Sequence, residues 1–168
     1  MNNDERKFAL AEIRERITMK EFIKTEKWQQ CIYTPIGSFN HQDGWWYSGG
    51  SQPVSMELKI RNNDSRDYNS VLMEGQKFDS MKEATNDGEF IYISFFNDIV
   101  YYHKIDTSLI YYRHYIKCNK TTSVDAPKKD KEVIFLDYED AFFTGSTATI
   151  DRDKITEKAV NALNSRTN

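Results

Sequence analysis

Eight residues, Val54-Ser55-Met56-Glu57-Leu58-Lys59-Ile60-Arg61, constrain this chain more than any others. Val54, Met56, Leu58 and Ile60 alternate with Ser55, Glu57, Lys59 and Arg61. A period of two is the signature of a strand with one apolar and one polar face. It sets an acid and an amine side by side on the polar face. A carboxylate and a lysine held that way can press a hydrated metal ion against a phosphate.

The rest of the composition is compatible with a domain built around such a strand. At 168 residues the chain fits one domain. Mean hydropathy is low, at −0.74, yet aromatics make up 14% of the residues, enough large apolar surface for a core. Tyr and Phe supply most of it and favour sheet. The net charge of −3 argues against nonspecific coating of nucleic acid. It weighs little against a metal nuclease, because bound cations offset an acidic site. Cys31 and Cys118 form no CxxC and read as reduced thiols. The start of the chain does not resemble a signal peptide, and no apolar run approaches the ~18 residues of a membrane span. A soluble, cytoplasmic protein without a membrane partner is expected. Abundant Asn, Lys, Tyr and Ile suggest an AT-rich genome, such as that of a phage.

In chain order, Asp4 to about Lys24 is charged and helix-favouring. Leu10, Ile13 and Ile17 form one stripe; Phe8, Met19 and Phe22 lie opposite, on the side shared by Glu12 and Glu15. Either acid could point into the domain or into solvent. Cys31–Tyr33 reads as a short strand. His41–Tyr47, the turn Ser48-Gly49-Gly50-Ser51 and the strand from Val54 form a hairpin pattern, with Asp43 on one arm and Glu57 on the other. Asn62–Asn69 reads as loop. Ser70 can cap a helix from Val71 to about Thr85, with Val71, Phe78 and Met81 on its apolar stripe and Lys77 at the border. Asn86-Asp87-Gly88 ends it. Phe90–Phe96 is apolar enough to be buried on both faces. Ile99–Ile105 and Leu109–Lys117 are further strands, Asn119–Lys131 a polar loop, Glu132–Leu136 a last strand, Thr144–Thr149 a connector and Asp151–Leu163 an amphipathic helix. The order predicts α+β or α/β architecture around a central mixed sheet, in one domain without repeats.

Phosphodiester hydrolysis needs a deprotonated water, neutralised charge at phosphorus and a stabilised leaving oxygen, which a divalent cation can supply. Mg²⁺, or Mn²⁺, takes a few carboxylate oxygens plus waters and substrate phosphate. Asp43 and Glu57 are the candidate pair, and the Leu58 carbonyl is a candidate third ligand. Lys59 would orient the water or meet developing charge. Asp64 and Asp67 compete with Asp43 for its role. The bland alternative for Glu57 is a cross-strand ion pair with a Lys or Arg. His41, His103 and His114 have no metal-ligand spacing, and the chain lacks Walker A, GxGxxG and GxSxG motifs. Trp45, Trp46 and Tyr47 could stack on a base or sugar, or simply pack in the core. Lys120, Lys128 and Lys129 could contact phosphates, or line a solvated loop.

Asp43, thirteen intervening residues and then Glu57-Leu58-Lys59 resemble the PD-(D/E)XK nuclease superfamily. The likeness covers roughly residues 5 to 105. It implies an αβββαβ core, with residues 106 to 168 as an extension. It further implies a Mg²⁺-dependent site in which Asp43, Glu57, Lys59 and Lys77 are catalytic. By the same resemblance Lys77, with Gln76 beside it, stands where the family's helix after ExK often adds a Lys, Gln or Tyr, and Glu12 or Glu15 where its first helix often adds a Glu to the metal. Gln42 stands where the family has proline. DNA is the expected substrate, and an RNA-processing nuclease of similar fold or an inactive binding module are the competing readings. Strand preference and oligomeric state, a homodimer included, are not set by the sequence.

Overall fold

The computed structural model describes residues 2–37, 40–119 and 128–167. The described residues form three α-helices and two sheets. Helix α1 (Asn3–Ile23) starts at a capping box: the Asn2 side chain accepts the Glu5 N–H, and the Glu5 carboxylate accepts the Asn2 N–H. Strands β1 (Gln29–Tyr33), β2 (Gly44–Ser48) and β3 (Val54–Ile60) follow as an antiparallel meander. A short strand β4 (Val71–Glu74) leads directly into α2 (Gly75–Ala84), after which β5 (Glu89–Phe95) returns parallel to β3. Strands β6 (Ile99–Asp106), β7 (His114–Asn119), β8 (Lys128–Leu136) and β9 (Phe143–Ser146) precede α3 (Arg152–Thr167). The large mixed sheet runs β1-β2-β3-β5-β6-β9, and a small one runs β4-β8-β7. No helix among the described residues is long and apolar enough to cross a membrane.

The central sheet is covered differently on its two faces. On one face Met56 and Leu58 of β3, Ile91, Ile93 and Phe95 of β5, and Trp46 of β2 pack against Met19 and Phe22 of α1. On the other, Phe90, Tyr92 and Phe96 meet Phe78 and Met81 of α2 and Ile134 and Leu136 of the small sheet. Strand β5 is therefore buried on both sides, as its apolar run predicts. Ser55, Glu57 and Lys59 share the α2 face, because β3 alternates strictly.

Four expectations change. Val71–Glu74 is strand, not the first turn of a helix, because it pairs with Val133–Leu136 of β8. Strand β7 begins at His114, so Leu109–Arg113 is not strand. Lys128–Lys131 belongs to β8 instead of a loop, and Phe143–Ser146 pairs with β6 instead of serving as connector. The turn after α2 is as read: Asn86 and Asp87 take left-handed φ values of 51° and 60°.

Gly44 pairs with Tyr33, and the β1 backbone lies close against it. A Cβ there would strike the carbonyl of Ile32 and crowd the Tyr33 Cα, both backbone. Gly44→Ala is expected to destabilise the protein by at least ~1–3 kcal/mol, read as a shifted urea midpoint. An unchanged midpoint would mean that this contact is slack.

Candidate functional site

The site forms where β2 stops short of β3. The last pair of that ladder is Gly44 with Met56. Just before it, the Asp43 N–H donates to the Met56 carbonyl at 3.0 Å, and the Asp43 carbonyl accepts the Thr34 N–H at 3.0 Å. Asp43 is thus fixed between the end of β1 and the middle of β3. Beyond Met56 the β3 edge has no strand partner among the described residues, and its backbone groups recur every two residues on that side. The Leu58 N–H donates to Asp43 Oδ2 at 2.8 Å. The Leu58 carbonyl faces the same edge.

Glu57 projects from β3 to the α2 face and is only 5% exposed. Its Oε1 lies 3.0 Å from Lys77 Nζ. Its Oε2 is buried and meets no hydrogen-bond donor among the described residues. Burial first, then the Asp43 carboxylate beside it, push the Glu57 carboxyl well above the ordinary carboxylate range, while Lys77 opposes them. Asp43 is bonded to the backbone of Met56 and of Leu58, the residues on either side of Glu57. Lys77, at the start of α2, also donates to the His41 carbonyl at 3.4 Å. Burial disfavours its charge, but Glu57 and Asp43 outweigh that and hold the ammonium protonated.

Lys59 sits one strand repeat from Glu57. Its Nζ is 3.9 Å from Glu15 Oε1. Burial again opposes the charge, and Glu15, Tyr92 and Glu57 raise the pKa above the ordinary lysine value nonetheless. Next to Lys59 in register stands Ser94, whose buried hydroxyl also has no partner among the described residues.

Several sequence candidates fall elsewhere. Glu12 caps the loop that follows β1, its Oε2 accepting the Gly37 N–H at 2.8 Å; the helix acid that faces the site is Glu15, one turn on. Trp46 is a core residue whose indole N–H donates to Gln29 Oε1, so it cannot stack on a ligand. Trp45, its neighbour, points the other way and is exposed. Gln76 is exposed beside Lys77. Asp64 and Asp67 lie at the short helical turn Ser65–Asp67, where Asp64 pairs with Arg66. Lys129 is exposed on the small sheet; Lys120 and the Lys128 side chain lie outside the described residues. His103 is buried, its Nε2 against the Asp137 carbonyl at 2.8 Å, and burial keeps it below the ordinary histidine value.

No family model, no curated protein and no solved structure matches the chain. The site has to be judged on its own chemistry. Among the described residues no three Asp, Glu, His or Cys side chains gather as a self-contained metal cage. Mg²⁺ does not require one: it keeps several waters and accepts one or two carboxylates. Two neighbouring carboxylates, with one Glu57 oxygen buried and lacking a partner among the described residues, fit such a cation. Without it they cost stability.

Glu15 gives this cost a pH dependence. Its carboxyl is pushed up to about 7 from an ordinary 4.5, by burial first, with Lys59 opposing and Asp43 adding to the rise. The folded chain keeps a proton that the unfolded chain has already released. The contribution of Glu15 is therefore most favourable below about pH 4.5, declines as pH rises through about 7, and then levels off. Glu15→Gln should gain on the wild type by about 3 kcal/mol between about pH 5 and pH 8. Parallel pH–stability curves for the two proteins would contradict this.

Proposed function

We propose that the protein is a Mg²⁺- or Mn²⁺-dependent nuclease that hydrolyses phosphodiester bonds in DNA. The observation that carries this reading is the buried Glu57 Oε2, without a hydrogen-bond partner among the described residues, on the strand whose Leu58 N–H holds Asp43. The observed order is α1, β1, β2, β3, β4, α2, β5, so a fourth strand stands between β3 and α2 and the chain departs from the αβββαβ core expected from the Asp43–Glu57-Leu58-Lys59 motif; the mixed α+β sheet is common ground, and the nuclease reading rests on the site.

In this reading Asp43, Glu57 and the Leu58 carbonyl would hold the cation. A bound cation supplies charge neutralisation, polarises the phosphate and eases deprotonation of water. The chain's own groups do the positioning. Lys59 and Lys77 stay protonated, so each offers N–H donors and positive charge to phosphate oxygens rather than a base. Glu15 holds Lys59 from behind, and the backbone of Leu58 and Met56 holds Asp43. The lysine of the strand motif and the lysine of the helix thus reach the acid pair from two directions.

The test is cleavage of plasmid and oligonucleotide DNA with Mg²⁺ or Mn²⁺ by the wild type, Glu57→Gln and Lys59→Ala. Metal-dependent cleavage unchanged in both variants would reject the site. No cleavage by the wild type, together with no cation-dependent rise in melting temperature, would favour a binding module of the same fold, in which Glu57 and Lys77 are a structural ion pair.

A further inference from the structure

Among the described residues, the α2 face of the large sheet is covered on one side of the acid pair only. Over β5 and β6 lie α2 and the small sheet. On the β1–β2 side, Ile32 is 51% exposed and Trp45 is 38% exposed. These two residues are opposite each other in register, and Trp45 is in turn opposite Ser55. Ser55 precedes Glu57 by one strand repeat on the same face. Trp45 is therefore the diagonal neighbour of Glu57, about 7–8 Å away across the pleat. Gln30 and Tyr47, also opposite one another, extend the shelf with polar and aromatic surface.

We infer that this shelf binds the unpaired bases of a single DNA strand whose phosphate lies at the Asp43–Glu57 pair. The inference rests on the nuclease reading for the position of the phosphate, and the shelf supplies the rest. An extended strand held by Lys59 and Lys77 at the foot of α2 must leave across the bare side of the sheet. There it meets an indole face, an aliphatic side chain and short polar groups, with no carboxylate among Gln30, Ile32, Trp45, Tyr47 and Ser55 to repel it. Base–aromatic stacking is open to every unpaired base, whereas a base inside a duplex presents only its edge. With a net charge of −3 the chain gains little from phosphate neutralisation, so stacking has to supply much of the affinity. A partner protein is the poorer fit. The shelf is a few side chains wide, short of the roughly 800 Å² that each partner of a stable complex buries.

Binding is best measured in the Glu57→Gln background, where the strand is not cut. Fluorescence anisotropy with Mg²⁺ would compare a labelled DNA strand with its duplex. The single strand should bind more tightly. Adding Trp45→Ala should weaken single-strand binding by about 5- to 100-fold, the range of one lost stack. Adding Trp45→Phe should restore most of it, since a ring remains. Equal affinity with and without Trp45, or preference for duplex, overturns the inference. So does an absence of DNA binding with a dimer in sedimentation that Trp45→Ala dissociates, which would assign the shelf to a second copy. The two readings fail separately. Single-strand binding through Trp45 by a chain whose wild type never cleaves would keep the shelf and remove the nuclease. Cleavage that needs Glu57 but ignores Trp45 would do the reverse.

Discussion

Glu57→Gln is expected to lose metal-dependent DNA cleavage by about 10³-fold, the scale on which a single transition-state group acts, while remaining at least as stable as the metal-free wild type. The two outcomes have one cause. In the wild type the Glu57 carboxylate is buried, the Asp43 charge raises its pKa further, and one of its oxygens has no donor among the described residues. Glutamine keeps the shape and removes both the buried charge and the repulsion. Lys77 loses a partner, but its side chain is one-third exposed and can turn to water. Residues kept for function commonly stand at a stability deficit of this kind. A structural ion pair predicts the opposite result: breaking it from one side leaves an uncompensated charge and typically costs 3–5 kcal/mol. Thermal melts in EDTA beside a cleavage gel separate the two. An unstable Glu57→Gln whose parent never cleaves would identify the pair as structural.

The largest stability effect is expected from Phe22→Ala. Phe22 is buried at the C-terminal end of α1 and has ring contacts with Phe95 at 5.7 Å and with Tyr102 and Phe143 at 6.3 Å each. It ties the helix that bears Glu15 to β5, β6 and β9 at once. Deleting the ring should cost about 3–5 kcal/mol. At roughly 2–4 °C per kcal/mol for a chain of this size, the melting temperature should fall by about 10 °C. Because α1 also positions Glu15 against Lys59, the pH slope attributed to Glu15 should flatten in the same variant. A fall of only a degree or two would mean that the helix is held mainly by its contacts with α3, where Ile13 packs on Ala159 and Leu163.

The parts of this architecture that are local were readable from residue order. The alternation of Val54–Arg61, the turn at Ser48–Ser51 and the left-handed pair Asn86-Asp87 each need only their neighbours to be understood. So did the convergence of Asp43, Glu57 and Lys77, because a hairpin and the following helix bring them together over a short stretch of chain. What escaped depends on distant partners or on phase. Val71–Glu74 is four residues long and runs straight into a helical stripe, and only β8, some sixty residues on, makes it a strand. Phe143–Ser146 has no marked alternation, and its strand character comes from pairing with β6. For α1 the question was rotation. Glu15, Met19 and Phe22 recur at i, i+4 and i+7, a spacing that would have favoured Glu15 over Glu12 as the inward acid. The same logic separates the tryptophans. Trp46 is opposite Val54, which shares the α1 face with Met56 and Leu58, and Trp45 is opposite Ser55, which does not.

The central claim is that Asp43 and Glu57 together hold one divalent cation. Direct counting of bound Mn²⁺, from the loss of the free-ion electron paramagnetic resonance signal, tests it without any assumption about substrate. The account predicts one ion per wild-type chain and none for the Asp43→Asn, Glu57→Gln double variant. Equal Mn²⁺ binding by the two proteins, or none by either, would contradict it.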